Sequence, residues 1–572
     1  MAGRKTRGSD RRDSFSEHDS STIKVLDSAR LSFMFLVFGA IIVCIFARLV
    51  YLTLIVGPEN ANKAYSSVTV EIDQTAKRGT IYDRDGTVLA CDVDATTIYC
   101  VPSEIEGAQN VATQLATILG GDYSDYMSAL SSQDDWAYVA KKADVDLAQK
   151  VKDLELSGIY FLDDTKREYP CGSTAGQVVG VCGADGHGLT GLELYYDDIL
   201  SGTDGQMIMY KGDGIPVAGS VQSSSEAVDG QDIVISIDVD MQEYLESRLA
   251  KAVKDIEGEG GNAIVYDAST GDILAMASYP LVDPGDTSTY DDDNMSLTGI
   301  TNAYEPGSIF KTVTMTAVFE GMDVDPDYEV FCPAEIPADE YYVSDAHDRG
   351  DETMSLRTIL QNSSNVGVSL ISKELGFDNL YNSIVKYKLT DYTNVDYPGE
   401  SCGYLTEQDT WSTIQSYNVS FGQGIMVTPL QITRFYGALV NDGVECTPHF
   451  LLAKPQSDKT FTYEETKVID NTDVIEPITS MLQSVVSDGT GTDAQIEGFA
   501  PAGKTGTAEI ASDEGTYLES EYNISFVGYL PDSDSTLVCF VGATHVPGDR
   551  TTTAAFRDIM TFAINHYGIT PQ

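Results

Sequence analysis

The chain is short of basic residues: 35 Lys and Arg stand against 88 Asp and Glu, a formal net charge of −53. A surface this acidic repels phosphate backbones and anionic lipid surfaces, so no nucleic acid is expected as a partner. Histidine is also scarce, six in 572 residues, with no H-E-x-x-H among them. The nine cysteines contain no C-x-x-C pair. Zinc hydrolases, zinc ribbons and thioredoxin-like redox sites therefore have no support, and no metal or cofactor is expected. Spacing leaves the cysteines open: Cys91 with Cys100 and Cys171 with Cys182 are candidate pairs, and unpaired burial fits equally well.

The chain has one long apolar run. It is uncharged over 31–47 and resumes after Arg48 to Val56, enough for a spanning helix of ~20 residues. The run is longer than the core of a signal peptide and no A-x-A site follows it, so retention as an anchor is expected. Arg4, Lys5, Arg7, Arg11, Arg12, Lys24 and Arg30 precede it against five acidic residues, which favours a cytoplasmic N-terminus.

A length of 572 residues predicts more than one domain. Residues 1–30, rich in Ser, Asp and Arg, read as a disordered cytoplasmic tail. Residues 57–228 alternate short strands and helices, with a Ser-rich linker expected at 219–230. A strand is predicted from 232 to 237 and an amphipathic helix over 240–256. Gly186-His187-Gly188-Leu189-Thr190-Gly191 satisfies G-x-G-x-x-G between a strand-like 177–182 and a helix-like 192–200. That pattern alone, without a βαβ unit around it and outside the cytosol, is a weak indication of a nucleotide site.

Chemistry-bearing residues concentrate in the C-terminal half. Glu305-Pro306-Gly307-Ser308-Ile309-Phe310-Lys311 sets a serine and a lysine three residues apart as a Pro-Gly turn gives way to a helix, which places both on one face. Ser21 to Lys24 and Ser383 to Lys386 repeat the spacing, and a lone S-x-x-K is usually a solvated helix face. Ser363-Ser364-Asn365, after a helix-like 355–362, is an S-x-N; Ser416-Tyr417-Asn418 is another. Lone S-x-N segments are usually caps or turns. Ser363 is favoured because it ends a helical segment. Lys504-Thr505-Gly506-Thr507 is the one K-[ST]-G in the chain, next to the strand-like 524–529.

The three elements in this order resemble the signature of active-site serine penicillin-binding proteins and β-lactamases. A serine hydroxyl needs a base, and Lys311 serves only if neutral, which burial and a second cation such as Lys504 would bring about. Ser363 would relay a proton to the leaving amine and Asn365 would bond the substrate amide. Lys504 and Thr505, within Lys504-Thr505-Gly506-Thr507, would hold the carboxylate that ends a D-Ala-D-Ala peptide. The backbone N–H groups of Ser308 and Thr507 would form the oxyanion hole, worth about 3 kcal/mol per donor.

More of the chain is similar to class B penicillin-binding proteins, monofunctional peptidoglycan D,D-transpeptidases. Arg78-Gly79-Thr80-Ile81-Tyr82-Asp83-Arg84-Asp85-Gly86, Arg167-Glu168-Tyr169-Pro170 and Gly188-Leu189-Thr190-Gly191-Leu192-Glu193 resemble motifs of the N-terminal module, expected to be structural. The segment 261–280, Phe421-Gly422-Gln423-Gly424, Thr428-Pro429-Leu430-Gln431 and Gly489-Thr490-Gly491 resemble transpeptidase-domain segments. Ile309 stands where the family more often has threonine.

The resemblance implies an α/β (α+β) chain in four parts. These are a cytoplasmic tail at 1–30, a transmembrane helix at 31–56, an elongated α+β pedestal or dimerisation domain at 57–228, and a transpeptidase domain at 229–572. The last is expected to carry a central antiparallel sheet flanked by helices, plus a helical subdomain. Stem peptides ending in D-Ala-D-Ala, β-lactams and the membrane are the implied partners. With no glycosyltransferase segment before the pedestal and no wall-binding repeat after the sheet, a polytopic glycan polymerase is expected to act alongside. A β-lactam-hydrolysing or β-lactam-sensing protein, a carboxypeptidase and a non-enzymatic scaffold remain as alternatives. The β-lactam-hydrolysing and β-lactam-sensing readings are disfavoured by the long pedestal and the scaffold by the intact motifs, while a carboxypeptidase differs only in acceptor geometry.

Overall fold

The computed structural model describes residues 28–56, 69–212, 215–291, 294–457, 461–511, 517–548 and 550–572. Most of the expected tail and the first residues of the expected pedestal, 57–68, lie outside the described residues. The chain divides into two compact units, Met1–Ile72 with Met207–Ser224 and Asp73–Gln206 with Ser225–Gln572.

In the first unit, helix α1 (Ser28–Tyr51) runs on through a π-helical turn at Leu52–Val56. The stretch Arg30–Ile55 has a mean hydropathy of 2.7 and buries none of its side chains. At 1.5 Å per residue it exceeds the roughly 30 Å of a bilayer core, so it is long and apolar enough to cross a membrane. A three-stranded sheet follows the order Thr69–Gln74, Gly205–Gly212, Ile215–Ser225. The linker expected at 219–230 is thus strand as far as Ser225. Pairing with Gly205–Gly212 overrides what Ser and Gly content suggests, because strand preference is set largely by neighbours.

Among the described residues the second unit holds a six-stranded sheet, the five-stranded central sheet and four two-stranded pairs. The long strand Val88–Cys100 pairs antiparallel along its length with Ile159–Glu168, from Cys91 opposite Glu168 to Cys100 opposite Ile159, and with Ala137–Asp144. Three helices, Ala108–Leu119, Tyr123–Leu130 and Val145–Lys152, cover it. Ile98, Leu115, Tyr126, Leu130, Val151 and Ile159 form the enclosed core, each large apolar side chain contributing roughly 1.5–3 kcal/mol. Ile81–Tyr82 joins Val88–Ala90 on one side and, in parallel, Ile233–Ile235 on the other, which in turn pairs with Leu451–Ala453. One sheet therefore ties the N-terminal motifs to the C-terminal half.

The N-terminal motifs meet as a buried charge network. Arg78 Nε lies 2.6 Å from Glu193 Oε2, Arg78 Nη1 2.6 Å from Asp197, and Arg167 Nε 2.7 Å from Glu193 Oε1. Glu193 is fully enclosed, so removing either arginine would leave its buried carboxylate with one partner in place of two. The G-x-G-x-x-G run belongs to this network, Gly188 N donating to Asp197 at 2.8 Å. The strand expected at 177–182 is instead a helical turn, Gly176–Val179, so the surroundings of a dinucleotide fingerprint are missing. All nine cysteines are free. Cys91 and Cys100 sit nine residues apart on one strand, about 30 Å by its rise, beyond any disulfide.

The central sheet has five antiparallel strands: β1 (Gly260–Asp267), β2 (Ile273–Tyr279), β3 (Ala502–Ala511), β4 (Tyr517–Tyr529) and β5 (Leu537–Pro547), in the order β2-β1-β5-β4-β3. Nearly every residue of β1 and β2 is buried, as strands covered on both faces require. Helices α2 (Val239–Asp255) and α6 (Thr553–Tyr567) seal one face. Asp238 caps α2 through the N–H groups of Asp240 and Met241. The other face carries the helical subdomain, with α3 (Lys311–Gly321), α4 (Asn365–Leu375) and α5 (Pro429–Val440). Helix α3 is buried all round from Lys311 to Phe319, which marks a core helix rather than an amphipathic one.

Candidate active site

Three segments cross at the turn before α3. Gly307 has φ +59°, and a Cβ there would sit 2.4 Å from the Thr507 carbonyl of β3. Gly422 has φ +88°, and a Cβ there would fall 2.1 Å from the Gly307 carbonyl. In return Gly307 N donates to Gly422 O at 2.9 Å. Glycine is required at both positions by backbone conformation and by contact. The chain then makes a 3₁₀ turn, Gly307–Phe310, which leads into α3 at Lys311. From α5, Tyr436 OH donates to Ile309 O at 2.9 Å and bonds the Thr312 hydroxyl at 2.7 Å, pinning the turn from behind.

Ser308 is half-buried at the start of this turn, and Lys311 is completely enclosed. The Lys311 ammonium donates to Ser363 O at 2.5 Å, to Ser363 Oγ at 3.1 Å and to Asn365 Oδ1 at 2.7 Å. No side-chain hydrogen bond joins Ser308 to Lys311 among the described residues. Such contacts are often loose before substrate arrives.

Ser363-Ser364-Asn365 lies where the short helix Leu356–Gln361 ends and α4 begins. Ser363 takes a left-handed conformation, φ +58°, a strain that persists only where surroundings enforce it. The middle residue is a cap, Ser364 Oγ accepting from Gly367 N at 2.9 Å, while its neighbours on both sides reach Lys311. The other candidates fall away. Ser416 sits within the helix Thr413–Ser420 and bonds Ser412 O at 2.9 Å. Lys386 pairs with Glu320 at 3.0 Å and Asp470 at 2.8 Å. Ser21 and Lys24 lie outside the described residues.

Lys504 enters from β3, fully buried, its Nζ 3.2 Å from Thr505 Oγ1. Thr505 Oγ1 bonds Thr490 Oγ1 at 2.6 Å. Gly506 is buried, and Thr507 is exposed along the outer strand of the sheet. Burial, and then the charge of Lys504, hold the Lys311 amine well below the ordinary lysine range, with Asp345 pulling the other way. Burial alone lowers Lys504 to about 7. The arrangement therefore offers a serine at a helix start, a lysine pressed toward neutrality, a serine–asparagine pair in its hydrogen-bond reach, and a cationic strand end.

The eight residues expected from sequence, Ser308, Lys311, Ser363, Asn365, Lys504, Thr505, Gly506 and Thr507, line one region. Asp345, Thr490, Tyr436 and Gly422 were given no role by sequence reasoning. Gly422 and Thr490 stood in segments recognised for their resemblance, but Asp345 and Tyr436 carry no local pattern and act only through contacts formed on folding.

Residues 261–561 match the penicillin binding protein transpeptidase domain and residues 73–235 the penicillin-binding protein dimerisation domain. The chain is 31% identical over 547 residues to stage V sporulation protein D of Bacillus subtilis, covering 91% of this chain and 82% of that one. It is 28% identical to the peptidoglycan D,D-transpeptidase FtsI of Escherichia coli, over 84% of this chain and 81% of that one. The crystal structure of penicillin binding protein 3 from Mycobacterium tuberculosis complexed with aztreonam superposes with a TM-score of 0.69 at 27% identity, over 88% of this chain and 98% of that one. By its domains, its fold and its relatives, the chain belongs to the class B penicillin-binding proteins.

Proposed function

We propose that the chain is a peptidoglycan D,D-transpeptidase that cross-links stem peptides through an acyl-enzyme on Ser308. The observation that carries this reading is the enclosed Lys311 amine, depressed in basicity and in contact with both Ser363 and Asn365. Ser308 Oγ attacks the carbonyl of the penultimate D-Ala as Lys311 takes its proton. The proton passes through Ser363 to the departing D-Ala amine, and the Ser308 ester remains. An amine on a second stem peptide then attacks the ester, forms the new amide and returns a proton to Ser308. Asn365 bonds the peptide amide, and Lys504 with Thr505 holds the terminal carboxylate. Backbone N–H groups of Ser308 and Thr507 receive the oxyanion. β-Lactams acylate the same serine.

In this reading α1 anchors the chain with its N-terminus cytoplasmic and the catalytic domain outside, on the basic excess before the helix. The parts run as tail at 1–30, span at 31–56, pedestal at 57–228 and transpeptidase domain at 229–572. In the same reading a separate, polytopic glycan polymerase works alongside this enzyme.

The deciding experiment is covalent labelling of the full chain in detergent with a fluorescent penicillin, comparing wild type, Ser308→Ala and Ser383→Ala. Loss of label in Ser308→Ala alone is expected. A folded wild-type protein that takes no label sinks the acyl-enzyme, and rapid release of the label as hydrolysed drug moves the reading to a β-lactamase.

A further inference from the structure

The serine–asparagine segment is gripped by a carboxylate that the reaction above does not use. Asp345 follows the hairpin strands Glu335–Ala338 and Tyr341–Ser344. Its Oδ1 accepts from Val366 N at 2.9 Å, at the first turn of α4. The Ser364 hydroxyl lies 3.0 Å from Oδ1 and 2.9 Å from Oδ2, and Arg349 Nε donates to Oδ2 at 2.5 Å. The preceding carbonyl, Ser344 O, accepts from Asn365 Nδ2 at 3.2 Å. Arg349 is itself tied down by Cys332 O at 2.9 Å and Gly350 O at 3.0 Å, with Glu352 3.6 Å from its Nε.

The three residues that follow Ser363 are thus fixed from one loop. Ser364 and Val366 are bonded to the Asp345 carboxylate, and the Asn365 amide nitrogen to the Ser344 carbonyl. This leaves Asn365 Oδ1 as the atom turned toward Lys311. Ser363 holds a left-handed φ of +58° that a serine does not adopt unaided. Carboxylates at a helix start bond N–H groups strongly and complement the helix dipole. The charged groups bearing on Lys311 are Lys504 and Asp345, of opposite effect.

We propose that Asp345 is a positioning residue for the transpeptidase reaction, clamping Ser363-Ser364-Asn365 in its strained turn and supplying the negative charge that faces Lys311 from behind the motif. The inference rests on the Ser308 acyl-enzyme reading. Two effects separate it from plain structural support. The clamp fixes the geometry of proton relay, which changes the rate of acylation. The charge changes the pH at which Lys311 becomes a free amine.

The test measures second-order acylation of the full chain in detergent by a fluorescent penicillin across pH, with thermal melting as a control. The variants are Asp345→Asn, Asp345→Glu and Ser364→Ala. Asp345→Asn is expected to lower acylation by about tenfold or more and to move the acidic limb of the profile to lower pH, since loss of the anion lets Lys311 release its proton earlier. Ser364→Ala is expected to lower the rate and leave the limb in place, and Asp345→Glu to restore the limb. A wild-type rate in Asp345→Asn, or a slower rate with an unmoved limb, overturns the proposal. If Asp345→Asn does not melt cooperatively, Ser364→Ala decides: an unchanged rate overturns the clamp and a severalfold loss supports it. Persistent labelling of Ser308→Ala would instead remove the underlying reading, and does so independently of any Asp345 result.

Discussion

The Lys311 ammonium donates to the backbone carbonyl of Ser363 at 2.5 Å, across 52 positions of sequence. With Ser363 Oγ and Asn365 Oδ1 it has three acceptors, as many as an ammonium has protons. A free amine keeps two protons and gains a lone pair, so becoming a base opens one of the three contacts and frees that lone pair for Ser308. Burial favours the free amine, while the acceptors favour the ammonium, and the site sits between them.

Lys311→Arg should lose acylation by roughly 10²–10⁴-fold, as should Lys311→Met. A guanidinium stays charged at any working pH, so the arginine gives no rescue. The check is the second-order labelling constant of folded protein. An arginine variant within tenfold of wild type would take the base role away from Lys311.

Acylation should follow a bell-shaped pH profile. The acidic limb reports Lys311 becoming neutral, well below the usual lysine range. The alkaline limb reports Lys504 losing the charge that holds the substrate carboxylate, near pH 7 in the empty enzyme. A rate still climbing well into the alkaline range would show that the Lys504 charge is not needed.

Lys504 should cost the fold stability. Native Lys504 releases its proton at about 7, whereas the unfolded residue keeps it to about 10.4. Between these values the unfolded chain holds more protons, so this contribution to stability rises with pH across the window. The full penalty, a few kcal/mol in order of magnitude, applies below it. Lys504→Met should therefore melt a few degrees higher than wild type near neutrality while losing acylation. The gap should narrow as pH rises. A lower melting point for Lys504→Met at every pH would contradict this.

Gly422→Ala should destabilise the protein by about 2 kcal/mol or more, because its Cβ would stand 2.1 Å from Gly307 O at a φ of +88°. Any relief must come from moving Gly307, so acylation should fall further than stability does. Urea unfolding beside labelling measures both; a stable, fully active variant would mean that the crossing is looser than its geometry.

Thr490→Val removes the 2.6 Å partner of Thr505. The apparent dissociation constant for a β-lactam should rise by roughly threefold to tenfold, with maximal acylation little changed. A loss confined to the maximal rate would place Thr490 in the chemical step instead.

The residues proposed to be catalytic could be picked out in the sequence because each sits in a short pattern whose residue types the proposed reaction demands. The strand expected at 524–529 is the end of β4, whereas β1 and β2 fall in 261–280, which was recognised by resemblance and not as strands. What escaped was everything made by crossing. Asp345 reaches Ser364 and Val366 from a hairpin 19 and 21 positions away, and Tyr436 reaches Ile309 over 127; neither leaves a local trace. The Ser-rich 219–225 was misread as linker because pairing partners, not composition, make it a strand. The 177–182 stretch was misread as strand because short apolar runs do not distinguish strand from helix.

The outermost position of β3 in the sheet has a cost beyond its chemistry. A strand with one open row of N–H and C=O groups is a template onto which any extended chain will add, including another copy of the same protein. Proteins usually blunt such edges with proline, bulges or charge. Here the stretch Thr505-Gly506-Thr507-Ala508 carries none of these, since a guest peptide must align with it. In the proposed reading the strand that admits substrate is therefore also an edge open to self-association, and an acylated serine would shield it.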